Sequence, residues 1–171
     1  MEYRQLGRSG VRVSVIGLGT NRFGTKTLPQ DQVDRIIDAA QDLGINLIDT
    51  ANTYTNGRSE QTLGKALKRR WDRFVLATKV SMSIGDGPND VGASRYHIMN
   101  AVDLSLSLLQ NDHIDMYYIH RWDHTTPIEE TLRALDDLVR MGKVRYVGAS
   151  AFASWQLGDT FRLPPNFNWG T

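Results

Sequence analysis

Cysteine is absent from the 171 residues, which excludes disulfide bonds, thiolate catalysis and cysteine-ligated zinc. The four histidines show no metal-binding spacing such as HExxH, so we expect no metal site. No apolar run approaches the roughly 18 residues that a membrane-spanning helix needs. The N-terminal segment MEYRQLGRSG also lacks the apolar core of a signal peptide. We therefore expect a cytoplasmic protein with no membrane partner.

A large excess of charge of either sign is also missing. Twenty lysines and arginines face nineteen acidic residues, and the formal net charge is +1. This balance gives no electrostatic reason to expect a nucleic-acid partner. The length fits one domain with a single core, and we expect residues 1–171 to form one domain.

Short apolar runs alternate with amphipathic segments along most of the chain. Continuous apolar runs are typical of strands buried on both faces of a parallel sheet. Five such runs are present, at residues 15–18, 45–48, 74–77, 114–119 and 144–147. Ahead of them, residues 3–6 and 11–14 flank a glycine-containing turn and predict a β-hairpin.

The segments between these runs predict four helices. The first carries an apolar stripe and ends at Gly44, and the second spans about residues 59–68. The third begins at Ser94, a good N-cap residue. The fourth begins at Thr126–Glu129, which matches a capping box with proline at the first helical position.

Repeated strand-helix units imply right-handed crossovers and a parallel sheet. From this pattern alone, a (β/α) barrel and a doubly wound open sheet both fit. Residues 81–93 are rich in Gly, Asp, Asn and Pro and predict a loop after the third run. Residues 157–171 contain two consecutive prolines, and we expect an atypical tail there rather than another strand-helix unit.

Polar residues follow the predicted strands at the ends where ligands bind in parallel α/β folds. Asp49, Lys79, His120 and Ser150 occupy such positions, and Tyr54 lies five residues beyond Asp49. This set suits carbonyl reduction, in which the oxygen that gains negative charge must be protonated. A tyrosine can supply the proton when a neighbouring cation stabilises its anion. We expect Lys79 to be that cation.

The same chemistry gives roles to two further residues. Asp49 would hold Lys79 in place, and His120 would orient the substrate oxygen or assist proton transfer.

Several motifs resemble those of the aldo-keto reductase family, in the family's order. Residues 49–67, DTANTYTNGRSEQTLGKAL, resemble its Asp-Thr-Ala…Tyr…Ser-Glu…Leu-Gly signature. The segments ATK at 77–79, IDMYYIHRWD at 114–123 and GKVRYVGAS at 142–150 are similar to its later motifs. Together these motifs span roughly the first 155 residues, and from Leu157 onward the resemblance ends.

The resemblance implies a (β/α)8 TIM barrel of the α/β class. That barrel is incomplete here, with about five β/α units plus an N-terminal hairpin, since a whole barrel needs about 250 residues. It also implies a small carbonyl substrate and NADPH as hydride donor, with NADH possible. The implied catalytic residues are Asp49, Tyr54, Lys79 and His120. The implied contacts to the nicotinamide end of the cofactor are Gly19, Thr20, Asn21, Asp49 and Ser150.

Two departures from the family pattern support a different function. The family has Ser-Asn where this chain has Ser150-Ala151, and the basic loop that binds the cofactor phosphates is not found. The alternative is a catalytically silent truncated barrel that acts as a binding or structural domain, like family members that serve as ancillary channel subunits. Open sheet edges at the first strand and at 144–147 also predict self-association.

Overall fold

A β-hairpin lies at the start of the chain in the computed structural model, which describes residues 1–161. Strand β1 (Tyr3–Gln5) pairs antiparallel with β2 (Arg12–Ser14), and Tyr3 lies opposite Ser14. The turn between them contains Gly7 at φ 57°, a left-handed conformation that glycine adopts without steric cost. The predicted hairpin is therefore confirmed.

Five parallel strands follow and form one sheet in the described part of the chain. Each strand pairs with the next one in sequence, so the strand order never reverses. A doubly wound sheet needs such a reversal, and the sequential order is that of a barrel wall. The strands are β3 (Gly17–Gly19), β4 (Leu47–Asp49), β5 (Val75–Val80), β6 (Ile114–Ile119) and β7 (Val144–Ala149).

Helices connect the strands much as the sequence predicts. Gly44 follows the first helix at φ 75°, and the Ser94 hydroxyl accepts a hydrogen bond from the His97 amide at 3.2 Å. Both predicted helix ends are therefore confirmed. The helices are α1 (Gln30–Asp42), α2 (Arg58–Ala66), α3 (Arg95–Leu109), α4 (Ile128–Arg140) and α5 (Ser154–Phe161), with a 3₁₀ turn at Trp71–Arg73.

The predicted capping box at the start of α4 is wrong. Pro127 is the N-cap and forms no side-chain capping bond, and the Thr126 hydroxyl donates to the Asp123 carboxylate at 2.7 Å. A carboxylate accepts a stronger, charge-assisted bond than a neutral group does. Burial raises the pKa of Asp123, but hydrogen bonds from Thr125, Ala93 and Thr126 outweigh it and hold the pKa well below its usual value.

The core lies between the helices and one face of the sheet. Leu76 and Thr78 of β5 point toward the helices, and strand alternation places Lys79 on the opposite face. Helices α2 and α3 touch at Gly64, where an added Cβ would lie 2.5 Å from the Leu108 carbonyl oxygen. The fully buried core residues include Ile37, Ile48, Leu63, Leu76, Ile98, Tyr117 and Leu138.

The predicted tail lies only partly within the described residues. Of the predicted tail 157–171, residues 157–161 belong to α5, and residues 162–171 lie outside the described residues. No helix in the described range is long and apolar enough to cross a bilayer. Residues 1–161 also contain no group of three or more acidic or histidine side chains that could hold a metal ion.

Candidate active site

Four polar side chains meet at the carboxyl ends of β4, β5 and β6. Asp49 is the last residue of β4, His120 directly follows β6, and Tyr54 lies in the loop between β4 and α2. Lys79 lies inside β5, which extends to Val80 because the Val80 carbonyl accepts a bond from the His120 amide at 2.7 Å. The structure therefore brings together the four residues singled out from the sequence.

Lys79 is at the centre of this group and is only 6% exposed. Its ammonium lies 2.7 Å from Asp49 Oδ2, 2.7 Å from the Thr50 carbonyl oxygen and 3.2 Å from the Tyr54 hydroxyl. These contacts use all three of its donors, so the orientation of the ammonium is fixed. A buried cation is thus held beside the phenol oxygen by one carboxylate and one carbonyl.

His120 completes the site and packs against Tyr54. The two rings pack edge to face, with their centroids 5.8 Å apart. Burial lowers the pKa of His120, as does the nearby Lys79 charge, and this favours the neutral imidazole at pH 7. Its Nδ1 is buried without a hydrogen-bond partner. Because an unpaired buried N–H is costlier than an unpaired acceptor, we assign the proton of the neutral ring to Nε2.

A network of buried hydroxyl groups braces the strand ends beneath the site. Ser59 Oγ lies 2.9 Å from the hydroxyls of both Thr20 and Thr50 and donates to the Thr20 carbonyl oxygen. The Thr20 hydroxyl donates to the Asp49 carbonyl oxygen at 2.9 Å. Sequence reasoning missed Thr50 and Ser59, although both lie in the signature segment at 49–67.

This network changes the interpretation of Thr20. The resemblance implied a cofactor contact for this residue, but it is 1% exposed and its side chain and backbone bond to Asp49 and Ser59. Thr20 is therefore a brace between β3 and β4. The cofactor contact that the resemblance implies for Thr20 stays a prediction.

The other residues predicted to contact the nicotinamide end of a cofactor are accessible. Gly19 is exposed, and a Cβ built on it would meet nothing within 4 Å. Asn21 is exposed and Ser150 half-buried, and within residues 1–161 no hydrogen bond involves either side chain. Ala151 has φ 53°, a left-handed conformation that asparagine tolerates better than alanine does. Alanine in place of the family's asparagine thus strains the backbone at this position and also removes an amide group.

The comparison of sequences agrees with this geometry. The sequence model of the Aldo/keto reductase family matches residues 15–164. An uncharacterized oxidoreductase of Bacillus subtilis (strain 168) is 45% identical, over 92% of this chain and 51% of its own length. Versiconal hemiacetal acetate reductase of Aspergillus parasiticus is 39% identical, over 91% of this chain and 52% of its own.

A channel-subunit relative and a solved structure are also similar to this chain. A probable voltage-gated potassium channel subunit beta of Oryza sativa subsp. japonica is 39% identical, over 95% of this chain and 50% of its own. The structure is similar to that of an aldo-keto reductase from Bacillus halodurans in its holo form. The TM-score is 0.84 at 38% identity, over 93% of this chain and 53% of that one.

These matches decide the family and the fold. The chain spans about half the length of the curated relatives it matches. The family match covers most of the chain and ends at residue 164. The prediction that the resemblance ends from Leu157 onward is therefore wrong by seven residues. The chain belongs to the aldo/keto reductase family, and its five-stranded sheet is an incomplete form of the family's TIM barrel.

Proposed function

We propose that this site reduces aldehydes or ketones to alcohols with a nicotinamide cofactor, NADPH by family resemblance or alternatively NADH. The observation that carries the proposal is the 3.2 Å contact between the Lys79 ammonium and the Tyr54 hydroxyl, with Asp49 held against the same ammonium. A phenol beside a buried cation is a proton donor whose anion is stabilised where it forms. We expect the cytoplasm as its compartment.

The accessible polar groups at this edge suit a nicotinamide carboxamide, which offers one acceptor and two donors. The Asn21 amide and the Ser150 hydroxyl supply both kinds of partner, and the half-exposed Asp49 carboxylate adds an acceptor. The open space above Gly19 leaves room for the ring to approach β3. A bound dihydronicotinamide would supply the hydride that the carbonyl carbon accepts.

Tyr54 and His120 have different roles at the carbonyl oxygen of the substrate. The Nε2–H of His120 donates to that oxygen and orients the substrate. As the new C–H bond forms and the C=O π bond breaks, Tyr54 transfers its hydroxyl proton to the oxygen. The phenolate left on Tyr54 is stabilised by the Lys79 ammonium until solvent returns a proton. Each turn of this cycle would yield one alcohol and one oxidised nicotinamide cofactor, and it restores the phenol.

The rival function is a catalytically silent binding or structural domain. Relatives named as potassium channel beta subunits are similar along nearly the whole of this chain. The strained Ala151 also removes an amide that the family places beside the cofactor. Turnover separates the two functions, because a silent domain consumes no cofactor.

An Asp49→Asn substitution tests the reductase proposal. Asparagine keeps an oxygen near Lys79 but removes the carboxylate charge, so we expect kcat to fall about tenfold. The measurement is NADPH consumption with a panel of aldehydes and ketones. Asp31→Asn, which removes a surface ion pair with Arg35, is the matched control and should behave like the wild type. Absence of turnover by the wild type with either NADPH or NADH would favour the silent domain.

We also propose that the purified 171-residue chain associates with itself. In the described sheet, β3 pairs only with β4 and β7 only with β6, so each keeps one open edge. Ile16, beside β3, is 57% exposed and adds apolar surface at that edge. Open edges of this kind template pairing between chains.

Light scattering measures this association directly. We expect a mass above that of the monomer, and we expect Ile16→Lys to lower it because a lysine beside an edge strand opposes pairing. Leu43→Lys is the control, since Leu43 is 65% exposed at the end of α1 and belongs to neither edge strand. A monomeric wild-type chain, or equal effects of the two substitutions, would contradict the edge as the contact.

A further inference from the structure

Thr55, which follows Tyr54, has an unusual backbone conformation. Thr55, Asn56 and Gly57 have φ values of 50°, 55° and 81°, so all three lie in the left-handed region. Glycine and asparagine tolerate this region, but a β-branched residue rarely adopts it. Something in the surrounding structure must therefore stabilise Thr55 there.

The Thr55 hydroxyl supplies that stabilisation. Its Oγ1 lies 2.7 Å from the carbonyl oxygen of Phe23 and 2.7 Å from that of Tyr54, so its one hydrogen serves two acceptors. Phe23 is 3% exposed and belongs to the core, which excludes water from competing for its carbonyl. The bond joins the turn that carries Tyr54 to the loop between β3 and α1.

A second, independent contact shows how closely this loop and this turn pack. Gly24 has φ 75°, and a Cβ built on it would lie 2.9 Å from the Cβ and from the carbonyl oxygen of Arg58. The backbone of the loop therefore touches the first residue of α2. The same loop also carries Asn21.

We propose that Thr55 is a positioning residue for Tyr54. Its hydrogen bond to the Phe23 carbonyl holds the left-handed turn and keeps the Tyr54 hydroxyl beside Lys79. Thr55 itself touches no reacting atom, and the consequence for turnover rests on the reductase function proposed above. The Tyr54 placement can be measured whether or not the chain turns over.

Three substitutions at Thr55 separate the hydroxyl from the backbone strain. Thr55→Val keeps the β-branch and removes the hydroxyl, Thr55→Ser keeps the hydroxyl, and Thr55→Gly removes the hydroxyl and relieves the strain. The readout is the nuclear Overhauser contact between the Tyr54 and His120 rings, assigned with Tyr54→Phe. We expect Ser to retain this contact and both Val and Gly to lose it. In turnover, Val should lower kcat about tenfold with little change in KM, and Ser should restore it.

Thr25→Val is the matched control. The Thr25 hydroxyl bonds to the Arg22 carbonyl at 2.9 Å within the same loop, and it does not reach the Tyr54 turn. We expect the control to keep both the ring contact and kcat. If Thr55→Val fails to fold, Thr55→Gly decides the question, because it removes the hydroxyl without a β-branched strain. A wild-type ring contact in Thr55→Gly would overturn the proposal, even in a chain without reductase activity.

Discussion

Tyr54→Phe is expected to lower kcat for carbonyl reduction about 1,000-fold, within the range that a general acid contributes. The substitution removes the hydroxyl that lies 3.2 Å from the Lys79 ammonium and leaves the ring in place against His120. The proton that must reach the carbonyl oxygen then has no donor of comparable placement. Cofactor affinity should change by less than about twofold, since Asn21, Ser150 and Gly19 are unaffected.

Steady-state kinetics and a cofactor titration measure these two effects separately. Tyr96→Phe is the control, because Tyr96 is 65% exposed on α3 and outside the site, and it should match the wild type. A Tyr54→Phe protein that keeps its kcat would contradict the general-acid role. A protein that loses cofactor binding instead would assign Tyr54 a structural role.

Local sequence patterns predicted much of the fold. The apolar runs coincide with β3 to β7 within a few residues, and Ser94 and Gly44 have the predicted end positions of their helices. These features depend on residues close together in sequence, so one sequence suffices. The candidate site followed from the rule that parallel strands end at one shared edge.

Long-range contacts account for what the sequence did not predict. Thr126 fits the local capping rule, but its hydroxyl bonds to Asp123, three residues before it. The same carboxylate oxygen accepts a long-range bond from the Ala93 amide, 30 residues away. The inward orientation of Thr20 depends on Ser59, 39 residues along the chain. The left-handed turn at Thr55 depends on a carbonyl 32 residues before it. Local propensity contains no information on such partners.

The buried carboxyl group of Glu60 is another feature that the sequence alone did not predict. Its carboxyl is 0% exposed between α2 and the sheet, where the Thr78 hydroxyl donates to Oε1 at 2.6 Å. Its Oε2 has no hydrogen-bond partner, and the Ser105 hydroxyl lies nearby without meeting hydrogen-bond geometry. Burial raises the pKa of Glu60 to about 7, although Thr78 and Ser105 act in the opposite direction.

The sign of the resulting pH dependence follows from this shift. Between the ordinary value of 4.5 and about 7, Glu60 is protonated in the folded state and ionised in the unfolded state. The folded state then binds more protons, so this group lowers the free energy of unfolding as pH rises through that window. The total loss is about 3 kcal/mol, at 1.36 kcal/mol for each pKa unit. Above the window the folded protein bears the full cost of a buried carboxylate.

Glu60→Gln should therefore stabilise the protein by about 3 kcal/mol above neutral pH and have little effect below about pH 4. Glutamine keeps an oxygen for the Thr78 hydroxyl and adds a donor that faces Ser105. The measurement is urea unfolding of both proteins across this pH range.

Burial lowers the pKa of His97 and of His120, which makes the free energy of unfolding rise with pH. Both histidines remain in the variant, so their contribution cancels in the difference between the two proteins. Glu129→Gln, on the exposed side of α4, is the control. Equal pH slopes for wild type and Glu60→Gln would show that Glu60 has the same pKa in the folded and the unfolded protein, and would contradict the shift.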